Sequence, residues 1–235
     1  MTRPDPSHGV FETLLVRDGR VQALGAHVDR LAASVSELYG ARLPDGLPAE
    51  LLGTAARLSG AHRMRVDAIP KGDAARIAVR ISALAAPRIA TAIAAPVIIS
   101  GGLGAHKWRD RRRVDALAER AGPHSVLLIC DDDGQVLEAA RANLWVLEGD
   151  RLRTPAADGR ILPGVTRARL SALAPSLALQ PHEGPLTPAD LDDASAVFLT
   201  SSLRVTVLGT ATRPAPRVDS RITAIAHALA AGDWS

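Results

Sequence analysis

The chain has one cysteine, Cys130, and only two lysines, Lys71 and Lys107, among 235 residues. A lone cysteine excludes an internal disulfide and any metal site built from several cysteines, and no metal is expected. Aromatic residues make up 3% of the chain, too few for the stacking platforms that hold single-stranded nucleic acid. The formal net charge is small, +3, and the pI near 9.7 reflects a few surplus arginines. No dense basic face with aromatics marks a nucleic-acid binder, so no nucleic-acid partner is expected. Apolar runs are too short to span a bilayer. The opening residues MTRPDPSHG lack the apolar core of a secretory signal. The expectation is a cytoplasmic protein with no membrane partner. G-x-S-x-G, H-E-x-x-H and Walker patterns are missing too.

The scarcity of lysine has a chemical consequence. Arginine holds its proton too tightly to become a neutral amine, whereas lysine can form an imine. A lysine nucleophile in this chain is therefore Lys71 or Lys107; the plain alternative is that both are surface charges.

What is present reads as an α/β chain. VFETLLV and VQAL flank an Asp-Gly turn and predict a β-hairpin. Val28, Leu31, Val35 and Leu38 recur at helical spacing, with Gly40 as the stop. Pro48 to Leu58 repeats that pattern. MRVDAI and ARIAVRISAL predict two strands joined through PKGD. Residues 85–105 are low in charge and punctuated by Pro and Gly, predicting one strand and then a linker. The expected organisation is a small N-terminal α/β domain over 1–100, a linker over 101–105 and a larger C-terminal domain over 106–235. The second half begins with HKWRDRRR and a helix through Val114, Leu117 and Ala118. SVLLICD, QVLEAARANLWVL and RLRTP predict an antiparallel meander, with DDDG and EGD as turns. A helix follows Pro163-Gly164, another starts at Thr187-Pro188, AVFLTSS and RVTVLG form a strand pair, and residues 219–230 form a last helix.

Three features carry chemistry, and a fourth does not. GGLG at Gly101 is too short for a dinucleotide fingerprint and reads as linker. HKWRDRRR is a solvated helix face, a nucleic-acid contact, or a segment that brings Lys107 into an interdomain cleft. LPGVTR at Leu162 to Arg167 is an anion site, with backbone N–H groups of a helix start aimed at the ligand, or a plain loop-to-helix entry. Glu138 lies in a strand that otherwise buries apolar residues, and a buried carboxylate needs a partner; a pyridinium nitrogen or an arginine would serve.

Taken in order, the segments resemble the class IV aminotransferase (fold-type IV) family of pyridoxal-phosphate enzymes. The pieces are GVFET at Gly9 to Thr13, HVDRL at His27 to Leu31, Lys107, GQVLEAARANL at Gly134 to Leu144, Thr154-Pro155, ILPGVTR at Ile161 to Arg167 and FLTSSL at Phe198 to Leu203. The resemblance implies two α/β domains with pyridoxal 5'-phosphate in the cleft between them, a homodimer, and a small amino substrate. It implies that Lys107 forms the Schiff base and acts as the catalytic base. Glu138 would pair with the pyridine nitrogen, Arg30 with the phosphate, the N–H groups of Val165 and Thr166 with the phosphate, and Ser202 would donate a hydroxyl. Within the family, Arg111 four residues after Lys107, Thr13 in FET and Arg204 in FLTSSLR are similar to aminodeoxychorismate lyases. Those three are the expected substrate contacts. The favoured expectation is therefore a lyase that converts 4-amino-4-deoxychorismate to 4-aminobenzoate and pyruvate for folate biosynthesis, with a transaminase of branched-chain or D-amino acids as the alternative. Ser201 and Val205 stand where the lyase segment has asparagine and glycine.

Overall fold

The computed structural model describes residues 4–84, 89–210 and 218–235. The chain divides into two compact units: residues 1–86, 106–111 and 232–235 form the first, and residues 87–105 and 112–231 the second. This differs from the expected order of domain, linker, domain. The first unit recaptures residues 106–111 because they pair with its sheet, and the second takes residues 87–105 because the strand they contain pairs there.

In the first unit, β1 (Val10–Arg17), β2 (Arg20–Val21), β3 (Ala61–Lys71) and β4 (Ala74–Ala83) form an antiparallel sheet in the order β2-β1-β3-β4. Asp18 and Gly19, both at positive φ, make the β1–β2 turn that the Asp-Gly pair predicts. Helices α1 (Leu24–Tyr39) and α2 (Leu47–Ala55) supply apolar stripes to one sheet face. Leu31 and Val35 of α1 and Leu47 and Leu51 of α2 share a core with Leu14, Val16, Met64 and Val66. Gly40 takes the left-handed conformation and donates its N–H to Ser36, ending α1 as its sequence predicts. Residues 107–109 lie alongside the start of β1. Phe11 N–H donates to Lys107 C=O at 2.9 Å, Arg109 N–H donates to Gly9 C=O at 3.0 Å, and Val10 faces Trp108.

The second unit holds an eight-stranded sheet. Its strands are β5 (Ile89–Ile98), β6 (Ser125–Cys130), β7 (Val136–Ala139), β8 (Asn143–Glu148), β9 (Arg151–Thr154), β10 (Gln180–Glu183), β11 (Ala196–Thr200) and β12 (Val205–Gly209). They run in the order β10-β9-β8-β11-β12-β5-β6-β7. QVLEAARANLWVL, read as one strand, is β7 and β8 joined at residues 140–142. Edge strand β7 leads through that tight turn into β8, near the opposite edge, so the sheet curls on itself. The expected meander is thus interrupted: β11, β12, β5 and β6 lie between β8 and β7. The AVFLTSS and RVTVLG pair forms as read, antiparallel between β11 and β12. β8 and β11 bury both faces, which explains their unbroken apolar sequences. On one face Trp145 and Phe198 pack with Leu170 of α4 (Val165–Leu173) and Ile222 and Ile225 of α6 (Ser220–Ala231). On the other, Leu144, Val146, Val197 and Leu199 pack with Leu191 of α5 (Pro188–Asp193). Helix α3 (Arg112–Ala121) follows the lysine segment. No helix among the described residues is long and apolar enough to cross a membrane.

Candidate active site

Strand alternation sorts the residues around β1. Val10, Glu12 and Leu14 point toward the α1 side, with Trp108 opposite Val10. Phe11 and Thr13 point to the other face, as do Lys107 and Arg109. The Lys107 Nζ lies 5.3 Å from the centre of the Phe11 ring, and the Arg65 guanidinium stacks over the same ring at 3.6 Å. Burial is the main force on the Lys107 amine and lowers its pKa from 10.5 to about 8. Glu12 opposes that shift, while the charges of Arg30, Arg111 and Arg65 add to it. Of the two lysines, Lys71 is exposed on the β3–β4 hairpin and Lys107 is partly buried. A lysine whose ammonium form is destabilised in this way is the kind that acts as a nucleophile or base.

Glu12 is buried, and its carboxylate accepts from Arg30, His27 and, at 3.2 Å, Thr13 N–H. Arg30 donates Nε to Oε1 at 2.7 Å and Nη2 to Oε2 at 2.8 Å, and His27 Nδ1 lies 2.8 Å from Oε2. Burial alone would raise the Glu12 pKa. The His27 hydrogen bond and the charges of Lys107 and Arg30 outweigh it and hold the carboxyl far below the usual range. An ionised carboxylate only accepts, so His27 carries its ring hydrogen on Nδ1. Burial keeps His27 neutral, pushing its pKa down against the pull of Glu12. Arg30 thus sits on α1 with a fixed orientation.

The second unit contributes a polar cluster of its own. Glu138 on β7 is 4% exposed. It accepts weakly from Leu162 N–H, at 3.3 and 3.4 Å, and from Asn143 Nδ2 at 3.3 Å. Asn143 also donates to Leu162 C=O at 2.9 Å, which binds the Leu-Pro-Gly loop to β8. A Cβ on Gly164 would stand 1.8 Å from Asn143 Oδ1, so any larger residue must push the Asn143 amide aside. Gly164 begins α4 with no side-chain cap, and the buried Val165 and Thr166 form its first turn. A helix start left without a side-chain cap is chemically suited to an anion. Arg167 anchors the same turn by donating to Pro155 C=O at 2.7 Å and pairing with Glu183 at 2.8 Å. Ser202 lies in the turn from Ser201 to Arg204, closed by Ser201 N–H donating to Arg204 C=O at 3.0 Å. Arg204 leads into β12.

The structure thus gathers Lys107, Thr13, Arg30 and Arg111 in the first unit, and Glu138, Val165, Thr166, Ser202 and Arg204 in the second. Sequence reasoning missed four residues that hold these in place. Glu12, His27 and Asn143 lay inside quoted segments as polar residues among apolar ones. Asp67 lay in MRVDAI, where charges at alternate positions opposite Met64, Val66 and Ala68 signal a polar sheet face.

The model of the family described as amino-transferase class IV matches residues 9–208. The chain belongs to that family. This class IV chain is 35% identical over 86 residues to branched-chain-amino-acid aminotransferase 6 of Arabidopsis thaliana, covering 36% of the chain and 24% of that protein. It is 32% identical over 108 residues to the chloroplastic branched-chain amino acid aminotransferase 2 of Humulus lupulus, covering 45% and 26%. Those matches span about a quarter of the curated relatives' length. Among solved structures, a hypothetical aminotransferase from Mycobacterium tuberculosis in a PLP-bound form superposes with TM-score 0.81 at 24% identity, over 96% of this chain and 88% of that one. A Legionella pneumophila protein described provisionally as a 4-amino-4-deoxychorismate lyase gives TM-score 0.82 at 22% identity, over 95% and 91%. The class IV fold, two α/β units each built on a sheet, is the one the sequence implied.

Proposed function

We propose that this class IV enzyme uses pyridoxal 5'-phosphate to transfer amino groups between amino acids and keto acids, with branched-chain amino acids as the first substrates to try. The residues suit that cofactor: one amine of lowered basicity for its aldehyde, one buried carboxylate for its ring nitrogen, and a helix start without a side-chain cap for its phosphate. Lys107 is the observation on which this reading rests. The choice of transamination over the lyase reaction follows the relatives above 30% identity, which are named as branched-chain aminotransferases.

When bound, the cofactor's protonated ring draws electrons from the carbon that carries the substrate's amine. Lys107 Nζ would hold the cofactor and, as the base, would take the proton from the substrate carbon and return one during turnover. The lowered basicity of Lys107 matches this duty near neutral pH. Glu138 keeps the ring nitrogen protonated, held in place by Asn143 and Leu162 N–H. Val165 and Thr166 N–H, Ser202 and Arg30 bind the phosphate. Thr13 and Arg204 contact the substrate, and a homodimer completes the reading.

The lyase is the second reading, supported by Arg111, whose charge acts on Lys107, and by Arg204 after the Ser-Ser-Leu turn. One experiment separates the two. Cofactor-loaded protein is given branched-chain amino acids with a keto-acid acceptor, and separately aminodeoxychorismate. Formation of the matching keto acid, abolished by Lys107→Ala, is expected. Equal release of pyruvate and 4-aminobenzoate from aminodeoxychorismate, with no branched-chain keto acid formed in the other assay, would move the assignment to the lyase. Wild-type cofactor absorbance in Lys107→Ala would overturn both.

A further inference from the structure

Asp67 is buried on β3, and three guanidinium groups converge on it. Its Oδ1 accepts from Arg65 Nε and from Arg109 Nε, each at 2.9 Å, and its Oδ2 accepts from Arg80 Nη2 at 2.7 Å. Arg65 sits on the same strand and Arg80 on the neighbouring β4, so ordinary strand geometry brings both within reach. Arg109 is different. It belongs to the short segment on the far edge of β1, and its side chain spans that strand to meet Asp67. On the way it also donates to His8 C=O. The residue that faces Arg109 across the pairing is Gly9, which puts no side chain in its path. Gly9 is at φ +89°, and a Cβ there would stand 2.3 Å from Ala68 C=O.

We propose that Arg109 and Asp67 form a clasp across β1 that positions Lys107. The proposal rests on Lys107 being the residue that holds the cofactor, as argued above. Lys107 and Arg109 flank Trp108, which bridges to Val10, so their side chains leave from the face opposite Trp108. Backbone bonds at Phe11 and Gly9 set the register of this segment. The clasp sets its twist, and with it the direction in which Lys107 leaves over the Phe11 ring. Arg65 shares the carboxylate oxygen that receives Arg109 and stacks on the same ring. One carboxylate therefore ties the lysine segment to the cation next to it. Asp67 and Arg109 are positioning residues in this account.

The presence of only two lysines makes the test direct. The full chain, before loading with pyridoxal phosphate, is acylated with a small anhydride above pH 9, and labelling of Lys107 is measured against the exposed Lys71 by mass spectrometry. Arg109→Gln is expected to raise the ratio about tenfold, the factor equivalent to losing one hydrogen bond to a charged group at a locally opening site. Asp67→Asn should act in the same direction, and Arg109→Lys should recover part of the protection. Arg80→Gln removes a bond to the same carboxylate without touching the lysine segment and should leave the ratio unchanged. An unchanged ratio in Arg109→Gln overturns the clasp. So does an equal rise in Arg80→Gln, which would assign the effect to loosening of the sheet. Arg109→Gln carries the test if Asp67→Asn fails to fold. Should Lys107→Ala keep the absorbance of the loaded wild type, the cofactor assignment fails while the labelling ratios still judge the clasp.

Discussion

Arg30 closes on Glu12 through two parallel bonds of 2.7 and 2.8 Å, and both groups are largely withdrawn from water. A bidentate guanidinium–carboxylate pair fixes orientation as well as charge. It fixes where the Arg30 guanidinium can point from α1.

Breaking this pair from the acid side should be costly. Glu12→Gln leaves Arg30 without its counter-charge and is expected to lose about 3–5 kcal/mol of stability. The loss should depend on pH. The folded Glu12 pKa is depressed, so its contribution is complete above the unfolded value of about 4.3 and disappears as pH falls toward the folded one. Urea unfolding of the two proteins from pH 7 to pH 3 should show the gap begin to narrow below about pH 4.3 without closing by pH 3; a constant gap would refute the ion pair as the cause.

Lys107 should leave a signature at the opposite end of the scale. Its folded pKa, about 8, lies below the ordinary lysine value of 10.5, so the unfolded chain binds more protons between these values. Stability of the cofactor-free protein should therefore rise with pH across that window, by up to about 3 kcal/mol. The strain of burying an ammonium is fully present below pH 8 and relieved above 10.5. Lys107→Met should remove this part of the slope. An identical slope in both proteins would mean that Lys107 is not held in a poorly solvated place.

Local chemistry explains which parts were legible in the sequence. The Asp18-Gly19 turn, the Gly40 stop and the Thr187 cap were readable because each depends on a few adjacent residues. Thr187 accepts from Asp190 N–H while Asp190 accepts from Thr187 N–H, a reciprocal cap written within four residues. The family was readable because its signature segments are contiguous. The division into units was not, because the pairing of Trp108 with Val10 and of β5 with β12 is set by contacts far apart in sequence. The break at residues 140–142 was hidden by apolar residues on either side of it. The grip of Arg30 on Glu12 joins a helix to a strand and carries no local mark in the sequence.

Gly164 offers a sharp test of the loop below α4. Gly164→Ala drives a methyl group into Asn143, which must release Leu162 C=O or Glu138. Leaving one such buried group unsatisfied costs about 1–3 kcal/mol. Gly164→Ala should weaken affinity for pyridoxal phosphate more than Asn143→Ser, which gives up the same amide bonds without placing a methyl group at the helix start. Fluorescence titration with the cofactor and thermal unfolding of both variants measure the two quantities. Normal cofactor affinity in Gly164→Ala would mean that the turn carries no phosphate.

Glu138 separates binding from chemistry. Asn143 Nδ2 and Leu162 N–H both present donors to its carboxylate. In Glu138→Gln the amide oxygen can satisfy one of them, while the amide nitrogen brings a donor toward donors. The change is nearly isosteric, so the fold and cofactor content should survive. What is lost is the negative charge that would keep the cofactor's ring nitrogen protonated. The half-reaction with a branched-chain amino acid should therefore slow by about 100-fold or more, the usual scale for removing an acid–base partner. Glu138→Asp keeps the charge but retracts it, and should fall between the two. Stopped-flow absorbance under single-turnover conditions reads the step without interference from product release. A Glu138→Gln enzyme that loads cofactor and reacts at the wild-type rate would show that this carboxylate supports only the loop, and would move the search for the ring's partner elsewhere.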